Sequence, residues 1–233
     1  MSGSDVEVGA RYARVLERVR QAAREAGRDP AGVRLVAVSK KVDSARIRAA
    51  YRAGARDFGE NYVQEALGKI PELPDDARWH MIGHLQTNKA KRAVEAFAWI
   101  HSLDRPSLGE ALEKAAARRD RRVNVLIQVN VGGESTKSGA DPEGAVALAR
   151  RAGEWPHLRI RGLMAIPPWR EDPEEVRPYF RALRELRDRI ASLALPGVGM
   201  EELSMGMSHD FAVAVQEGAT MVRVGTAVFG PRI

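Results

Sequence analysis

VRLVAVSK (33–40) is a run of apolar and β-branched residues that ends in a lysine, and it reads as a buried strand. Seven further short runs follow it: DFGEN (57–61), WHMIGH (79–84), WIHSLD (99–104), VNVLIQVN (123–130), RIRGLMAI (159–166), ELSMG (202–206) and TMVRVG (220–225). Stretches of helical periodicity separate them, with helix-start signals at Ser107 with Glu110, at Asp141-Pro142 and at Asp172-Pro173. Strands alternating with helices from end to end predict a parallel sheet wrapped by helices. Eight such units fit a (β/α)8 barrel, whose usual size is about 250 residues, and a doubly wound open sheet is the alternative. Before the first strand, Val8, Tyr12, Val15, Leu16, Val19 and Ala23 recur at helical spacing up to Gly27, which predicts an additional N-terminal helix. Only TAVFGPRI follows the eighth strand, too little for a full eighth helix, so the N-terminal helix is expected to cover the face left bare. No linker or short-period repeat divides the chain, and residues 1–233 read as one domain.

Composition narrows the function. With 44% hydrophobic and 29% charged residues the chain can bury a full core, which excludes disordered and fibrous classes. Cysteine is absent, which removes disulfides, thiolate nucleophiles and cysteine-ligated metals and suits a reducing compartment. The net charge of +6 raises the question of an anionic partner, yet arginine is interspersed with glutamate along stretches such as RALRELRDRI (181–190), the pattern of a solvated helix face. A nucleic-acid surface is not expected. The longest stretches free of Asp, Glu, Lys and Arg, 123–133 and 190–200, are too short to span a bilayer, and the opening residues lack a signal-peptide pattern, so the expected location is the cytoplasm.

A barrel of this kind places its chemistry at the C-terminal ends of the strands, often with a phosphate near strands seven and eight. Lys40 ends strand one after LVAV, in surroundings that disfavour an ammonium ion, and such a lysine can form a Schiff base. A solvated strand-end lysine is the plainer reading. Asn61 and His84 end strands two and three, where each equally fits a satisfied polar group of the core. After strands seven and eight come the small-residue stretches SMGMSHD (204–210) and RVGTAVFG (223–230). There Ser208 is expected to cap the following helix, and Gly225 and Thr226 offer close backbone approach and a hydroxyl, a combination suited to a phosphate. Alternation along strand eight puts Arg223 on the inner face with Met221, where a guanidinium needs an acceptor, either a carboxylate such as Glu60 or Asp57 or a ligand atom. The five histidines show no paired-ligand spacing, and GxGxxG, GxxxxGK[ST] and GxSxG are all missing. No metal is expected.

Taken together, AVSK (37–40), FGENYVQEA (58–66), WHMIGHLQTNK (79–89), LIQVNVGGESTKSG (126–139), RGLMAI (161–166), LSMGMSHDF (203–211) and MVRVGTAVFG (221–230) resemble the pyridoxal-phosphate homeostasis protein family in order and spacing. The resemblance covers nearly the whole chain. It implies a fold type III barrel like the N-terminal domain of alanine racemase, and an intracellular carrier of pyridoxal 5′-phosphate (PLP) that holds the cofactor as an internal aldimine, without a dedicated reaction. By position it places the cofactor lysine on Lys40, phosphate contacts on Ser204, Ser208, Gly225 and Thr226, and the arginine near the pyridine nitrogen on Arg223. Asn61 and His84 fall in the motifs around the ring, and Met164 falls at a strand end near it. PLP-dependent apo-enzymes are the implied recipients. The chain departs from the family pattern at Lys41, where a smaller residue is common, and at His209-Asp210, where an acid usually follows the serine directly. An amino-acid racemase is the alternative, but none of Tyr12, Tyr51, Tyr62 and Tyr179 lies in a racemase-like motif, and no second domain is expected beyond Gly230. A Schiff-base aldolase or sugar-phosphate isomerase would use the lysine and the phosphate loops without needing Arg223.

Overall fold

The computed structural model describes residues 3–134 and 137–231, so Ser135 and Thr136 of the 126–139 motif, and Arg232 and Ile233, lie outside the described residues. Eight parallel strands close into a barrel in sequence order: β1 (Arg34–Val38), β2 (Asp57–Glu60), β3 (Arg78–Met81), β4 (Trp99–Leu103), β5 (Val123–Val129), β6 (Leu158–Ala165), β7 (Val198–Ser204) and β8 (Met221–Val224). Closure is made by β1 against β8, with Val36 opposite Arg223 and Ala37 opposite Val224. The helices are α1 (Gly3–Glu25), α2 (Ser44–Arg52), α3 (Val63–Lys69), α4 (Ala90–Ala96), α5 (Pro106–Ala117), α6 (Pro142–Arg150), α7 (Arg177–Ser192), α8 (Phe211–Gln216) and α9 (Thr226–Phe229). Among the described residues, no helix is long and apolar enough to cross a membrane.

Every expected strand is present, and most end earlier than the apolar pattern suggests. Ser39 and Lys40 leave β1 for a turn, and Asn61 and His84 follow β2 and β3 as loop residues. β7 instead begins at Val198, ahead of its expected start. Two of the expected caps form: Asp141 accepts from Gly144 N at 2.6 Å at the start of α6, and Asp172 accepts from Glu174 N at 2.9 Å at the start of a 3-10 turn (Pro173–Val176) that leads into α7. The Ser107 signal is displaced, since α5 starts at Pro106 behind Arg105, and proline's fixed φ suits that first helical position.

The strands sort their side chains by alternation. Val36, Trp99, Leu126, Met164 and Met221 pack together inside the barrel, while Val222, Val224, Phe58 and Ile127 join the larger core between barrel and helices. One glycine is indispensable to the sheet. Gly162 has φ +153°, and a Cβ there would run into the Glu202 carbonyl of β7. As expected, α1 covers the region where α8 and α9 are short: Val8, Tyr12, Val15, Val19 and Ala23 are buried, and the helix lies against α2, α8 and α9.

Candidate functional site

A cavity of about 280 Å³ opens at the C-terminal ends of the strands. Lys40, Asn61, Ser208, Arg223, Gly225 and Thr226 line it together, joined by Val38, Ile82, Ile166 and Met207 as apolar wall and by Trp169 and His209. Strands one and eight, far apart in sequence, are hydrogen-bonded neighbours, so barrel closure itself brings Lys40 and Arg223 to one place.

The residues flanking Lys40 are clamped. Ser39 N donates to Gly59 O at 2.9 Å and Ser39 Oγ to Glu60 Oε1 at 2.6 Å, while Ser39 O accepts from Val42 N at 3.0 Å and from Lys69 Nζ at 2.7 Å. Lys41 N donates to Glu65, and Lys41 takes the left-handed conformation at φ 56°. With backbone fixed on both sides, half-buried Lys40 has its origin set while its side chain reaches into the cavity. Lys41 is exposed and does not line that cavity.

Arg223 points inward, as alternation requires, but its partners are neither Glu60 nor Asp57. Nη1 donates to Ser204 Oγ at 2.7 Å and Nη2 to the Ala165 carbonyl at 2.8 Å. Both acceptors are neutral. Glu60 lies on the outer side of the sheet with Lys69, and Asp57 sits at the start of β2 with Arg78, which is why neither reaches Arg223. Burial brings the guanidinium down to about 10, opposed by the Asp210 carboxylate. A buried cation bonded to neutral groups at a cavity wall has capacity left for an electron-rich ligand atom.

The loop after β7 differs from the sequence expectation. Ser208 does not cap a helix: α8 starts at Phe211 behind Asp210, and the Asp210 carboxylate turns back to accept from Met207 N at 2.6 Å. Burial lifts the Asp210 carboxyl above its ordinary range, against the pull of that N–H and of Arg223. Ser208 is thereby left on the cavity wall. Gly206, at φ +91°, lets the loop approach α8, since a Cβ there would lie 2.6 Å from Ala214 Cβ. His209 stacks on exposed Trp169 at 6.2 Å and places Nε2 2.8 Å from the Glu171 carbonyl, so it donates there and brings no acid to the entrance.

Three expected residues lie elsewhere. Ser204 is fully buried below the cavity, its Oγ accepting from Arg223 and lying 3.0 Å from His101 Nδ1. Met164 is buried in the barrel's interior apolar cluster. His84 lines a neighbouring cavity of about 490 Å³ that shares Asn61 as a wall, with its Nδ1 3.5 Å from Asp104. Sequence reading missed Trp169, which sits in a loop without periodicity, and Ile166 and Met207, which lie in stretches singled out for other residues. It also missed the interior His80 and His101, for which the signal was available: both occupy inward positions on adjacent strands, as Ser204 and Arg223 do.

An amine, a buried guanidinium without a carboxylate and two hydroxyls together suit a small anionic carbonyl compound. The comparisons with known proteins agree in kind. Residues 11–232 match the family described as "Alanine racemase, N-terminal domain". The chain is 49% identical over 226 residues to the pyridoxal phosphate homeostasis protein of Aquifex aeolicus, covering 95% of this chain and 97% of that protein. It is 48% identical over 226 residues to the protein of the same name from Pseudomonas aeruginosa, covering 97% and 96%. Among solved structures, PipY of Synechococcus elongatus with PLP bound superposes with a TM-score of 0.83 at 39% identity, over 96% of this chain and 100% of that one. By fold and by whole-length sequence identity, this chain belongs to the pyridoxal phosphate homeostasis protein family, built on the barrel of the alanine racemase N-terminal domain.

Proposed function

We propose that the cavity binds PLP and that the protein acts as a reversible carrier and reservoir for it. The observation that carries this reading is the convergence of Lys40 and Arg223 with Ser208, Gly225 and Thr226 on one cavity wall. The donor set fits the group: an amine for an aldehyde, hydroxyls and backbone for a phosphate, and a guanidinium bonded to neutral groups. When bound, PLP supplies an aldehyde that condenses reversibly with a primary amine. Lys40 presents that amine from a clamped turn, while Ser208, Gly225 and Thr226 take the phosphate. Arg223 holds its positive charge at the wall and disfavours protonation of any nitrogen base beside it, which weakens electron withdrawal through the ring. His84, Met164 and Ser204 are assigned supporting places around this site, Asn61 being the wall shared with the His84 cavity.

A carrier is favoured over a racemase because the described cavity wall contains no tyrosine, and its histidine, His209, is already engaged by the Glu171 carbonyl. PLP-dependent apo-enzymes are the proposed recipients. The cysteine-free composition suits the cytoplasm, and residues 1–233 are taken as one folded unit. The test is a visible absorption titration with PLP, followed by borohydride trapping and peptide mapping, run beside Lys40→Ala. A Schiff-base band with the adduct on Lys40, absent from the variant, supports the reading; no band and no trapped adduct at any lysine sinks it. Measuring interconversion of L- and D-amino acids separates the racemase alternative.

A further inference from the structure

The polar side chains inside the barrel are joined end to end. Arg223 Nη1 donates to Ser204 Oγ at 2.7 Å, Ser204 Oγ lies 3.0 Å from His101 Nδ1, His101 Nε2 lies 3.0 Å from His80 Nδ1, and His80 Nε2 lies 3.0 Å from Asp57 Oδ1. All five residues are buried. They come from β8, β7, β4, β3 and β2 and run from the cavity toward the opposite rim. There Arg78, half exposed, holds Asp57 through bonds of 2.8 and 2.7 Å.

The direction of hydrogen donation follows from the two ends. Arg223 offers only N–H groups, so Ser204 Oγ accepts from it. Asp57, kept ionised by Arg78, has no hydrogen to give, so His80 Nε2 carries one. A neutral His80 then has a bare Nδ1 that accepts from His101 Nε2–H, and a neutral His101 has a bare Nδ1 that accepts the Ser204 hydroxyl hydrogen. Each ring is neutral for reasons of place. Burial disfavours the His80 imidazolium, with Asp57 opposing and Arg34 and Arg78 adding to the effect. For His101, burial is reinforced by His80, Arg223 and Arg34. Both imidazoles are thus fixed as Nε2–H tautomers, and every ring nitrogen is satisfied.

We propose that Asp57 is a positioning residue for Arg223, acting through His80, His101 and Ser204 to impose one direction of hydrogen donation that holds the guanidinium in place beneath the cavity. The link from Arg223 to the cofactor rests on the PLP reading above; the chain itself does not. It gives Asp57, His80 and His101 a role that a merely packed interior would not require, because a donor must reach Ser204 from one side only and leave its lone pairs to Arg223.

The first arm of the test is NMR of the unliganded protein with isotope-labelled histidine. His80 and His101 are expected as neutral Nε2–H tautomers with no titration between about pH 5 and 8, the window in which an ordinary histidine changes charge. An Nδ1–H ring at either position, or titration of either in that window, overturns the proposal. Asp57→Asn, whose amide oxygen still accepts from His80, is expected to keep both tautomers, whereas Asp57→Ala yields a mixture. If Asp57→Ala does not fold, Ser204→Ala cuts the chain from the other end: Asp57 still sets both tautomers, which are expected to persist, while Arg223 loses its acceptor. In the second arm, PLP titration of the variants is expected to raise the apparent Kd roughly tenfold for Asp57→Ala and Ser204→Ala but not for Asp57→Asn. Unchanged tautomers in Asp57→Ala, or unchanged affinity in both cut variants, overturns the proposal. If the wild-type protein takes up no PLP, the cofactor reading falls while the tautomers still decide the chain.

Discussion

Two buried cations in this barrel are treated in opposite ways. Lys69 of α3, on the outer side of the sheet, donates to Glu60 Oε1 at 2.8 Å, Glu65 Oε1 at 2.6 Å and the Ser39 carbonyl at 2.7 Å. Arg223, on the inner side, donates to a hydroxyl and a carbonyl. The first cation is fully compensated and spends its hydrogen bonds fixing the turn that carries Lys40. The second is left electrostatically open beside a cavity. Burial of charge therefore serves two purposes within one barrel: a closed ion pair builds the frame, and an open cation faces whatever enters.

This contrast sharpens or breaks under substitution. Lys69→Met leaves Glu60 and Glu65 without their cation, and because Glu60 is fully buried the expected loss is about 3–5 kcal/mol, measured by denaturant unfolding at neutral pH. A loss under 1 kcal/mol would show that the Lys69 knot is no frame. The deficit also has a sign with pH. Burial already raises the Glu60 carboxyl, against Lys69 and Ser39, and its Oε2 has no partner. Removing Lys69 raises it further, and the cost of a raised acid disappears as pH falls through its folded value toward the ordinary glutamate value of about 4.3. The variant should thus recover part of its stability as pH falls toward that value. Glu65→Gln, at a partly exposed position, is expected to cost on the order of 1 kcal/mol.

Arg223→Met removes a buried charge to which no carboxylate is hydrogen-bonded, Asp210 acting on it only at a distance, so its stability change should be small, about 1 kcal/mol in either direction, while the apparent Kd for PLP rises roughly tenfold. If unfolding costs as much as for Lys69→Met, the two cations are equivalent and the comparison fails. Asp57 provides the acid end of the same contrast. Burial alone would lift its carboxyl, but Arg78 and His80 hold it well below the ordinary range. Such a depressed acid stabilises the fold above the unfolded value of about 3.9, and that contribution is lost as pH falls below it. Asp57→Asn should therefore flatten the acid limb of a stability-versus-pH curve, and an unchanged limb would assign acid unfolding elsewhere. The smallest effect is expected from His209→Asp. His209 is exposed, so stability should move within about 0.5 kcal/mol, and any change should appear in PLP affinity.

The barrel was legible because alternation of strand and helix is written repeatedly, and because runs such as VRLVAV and VNVLIQVN are apolar and too short for helices. Strand ends were less legible. SK after VRLVAV and GH after WHMI lie beyond the strands, although Ser39 N still donates to Gly59 O and Ile82 N to Glu60 O before the backbone turns away. The cavity's own residues, Lys40, Asn61, Ser208, Arg223, Gly225 and Thr226, could be named since strand order and the family's motifs both point to the same end of the barrel. Ser204 and Met164 lie one layer below the cavity: a residue at the end of a strand can face the barrel interior instead of its mouth, and only the register across β6, β7 and β8 decides which. The role of Asp210 was hidden for another reason. Which N–H a loop carboxylate caps depends on backbone torsions, and there the acid folds back to Met207 rather than forward along α8.

The placement of α1 has a consequence for how the barrel comes to be. Its buried stripe rests partly on α8 and α9, Arg18 lies over the Phe211 ring at 5.0 Å, and just beyond the helix Arg28 Nη1 donates to Val215 O and Ala219 O, 187 and 191 residues further along the chain. During synthesis the stripe of Val8, Tyr12, Val15 and Val19 emerges early and α2 soon follows, but α8 and α9 emerge late. Contacts of such long sequence separation form slowly and leave apolar surface waiting. The part of α1 that meets α8 and α9 thus stays unsheltered until nearly the whole barrel has been made, within reach of chaperones and of other unfinished chains.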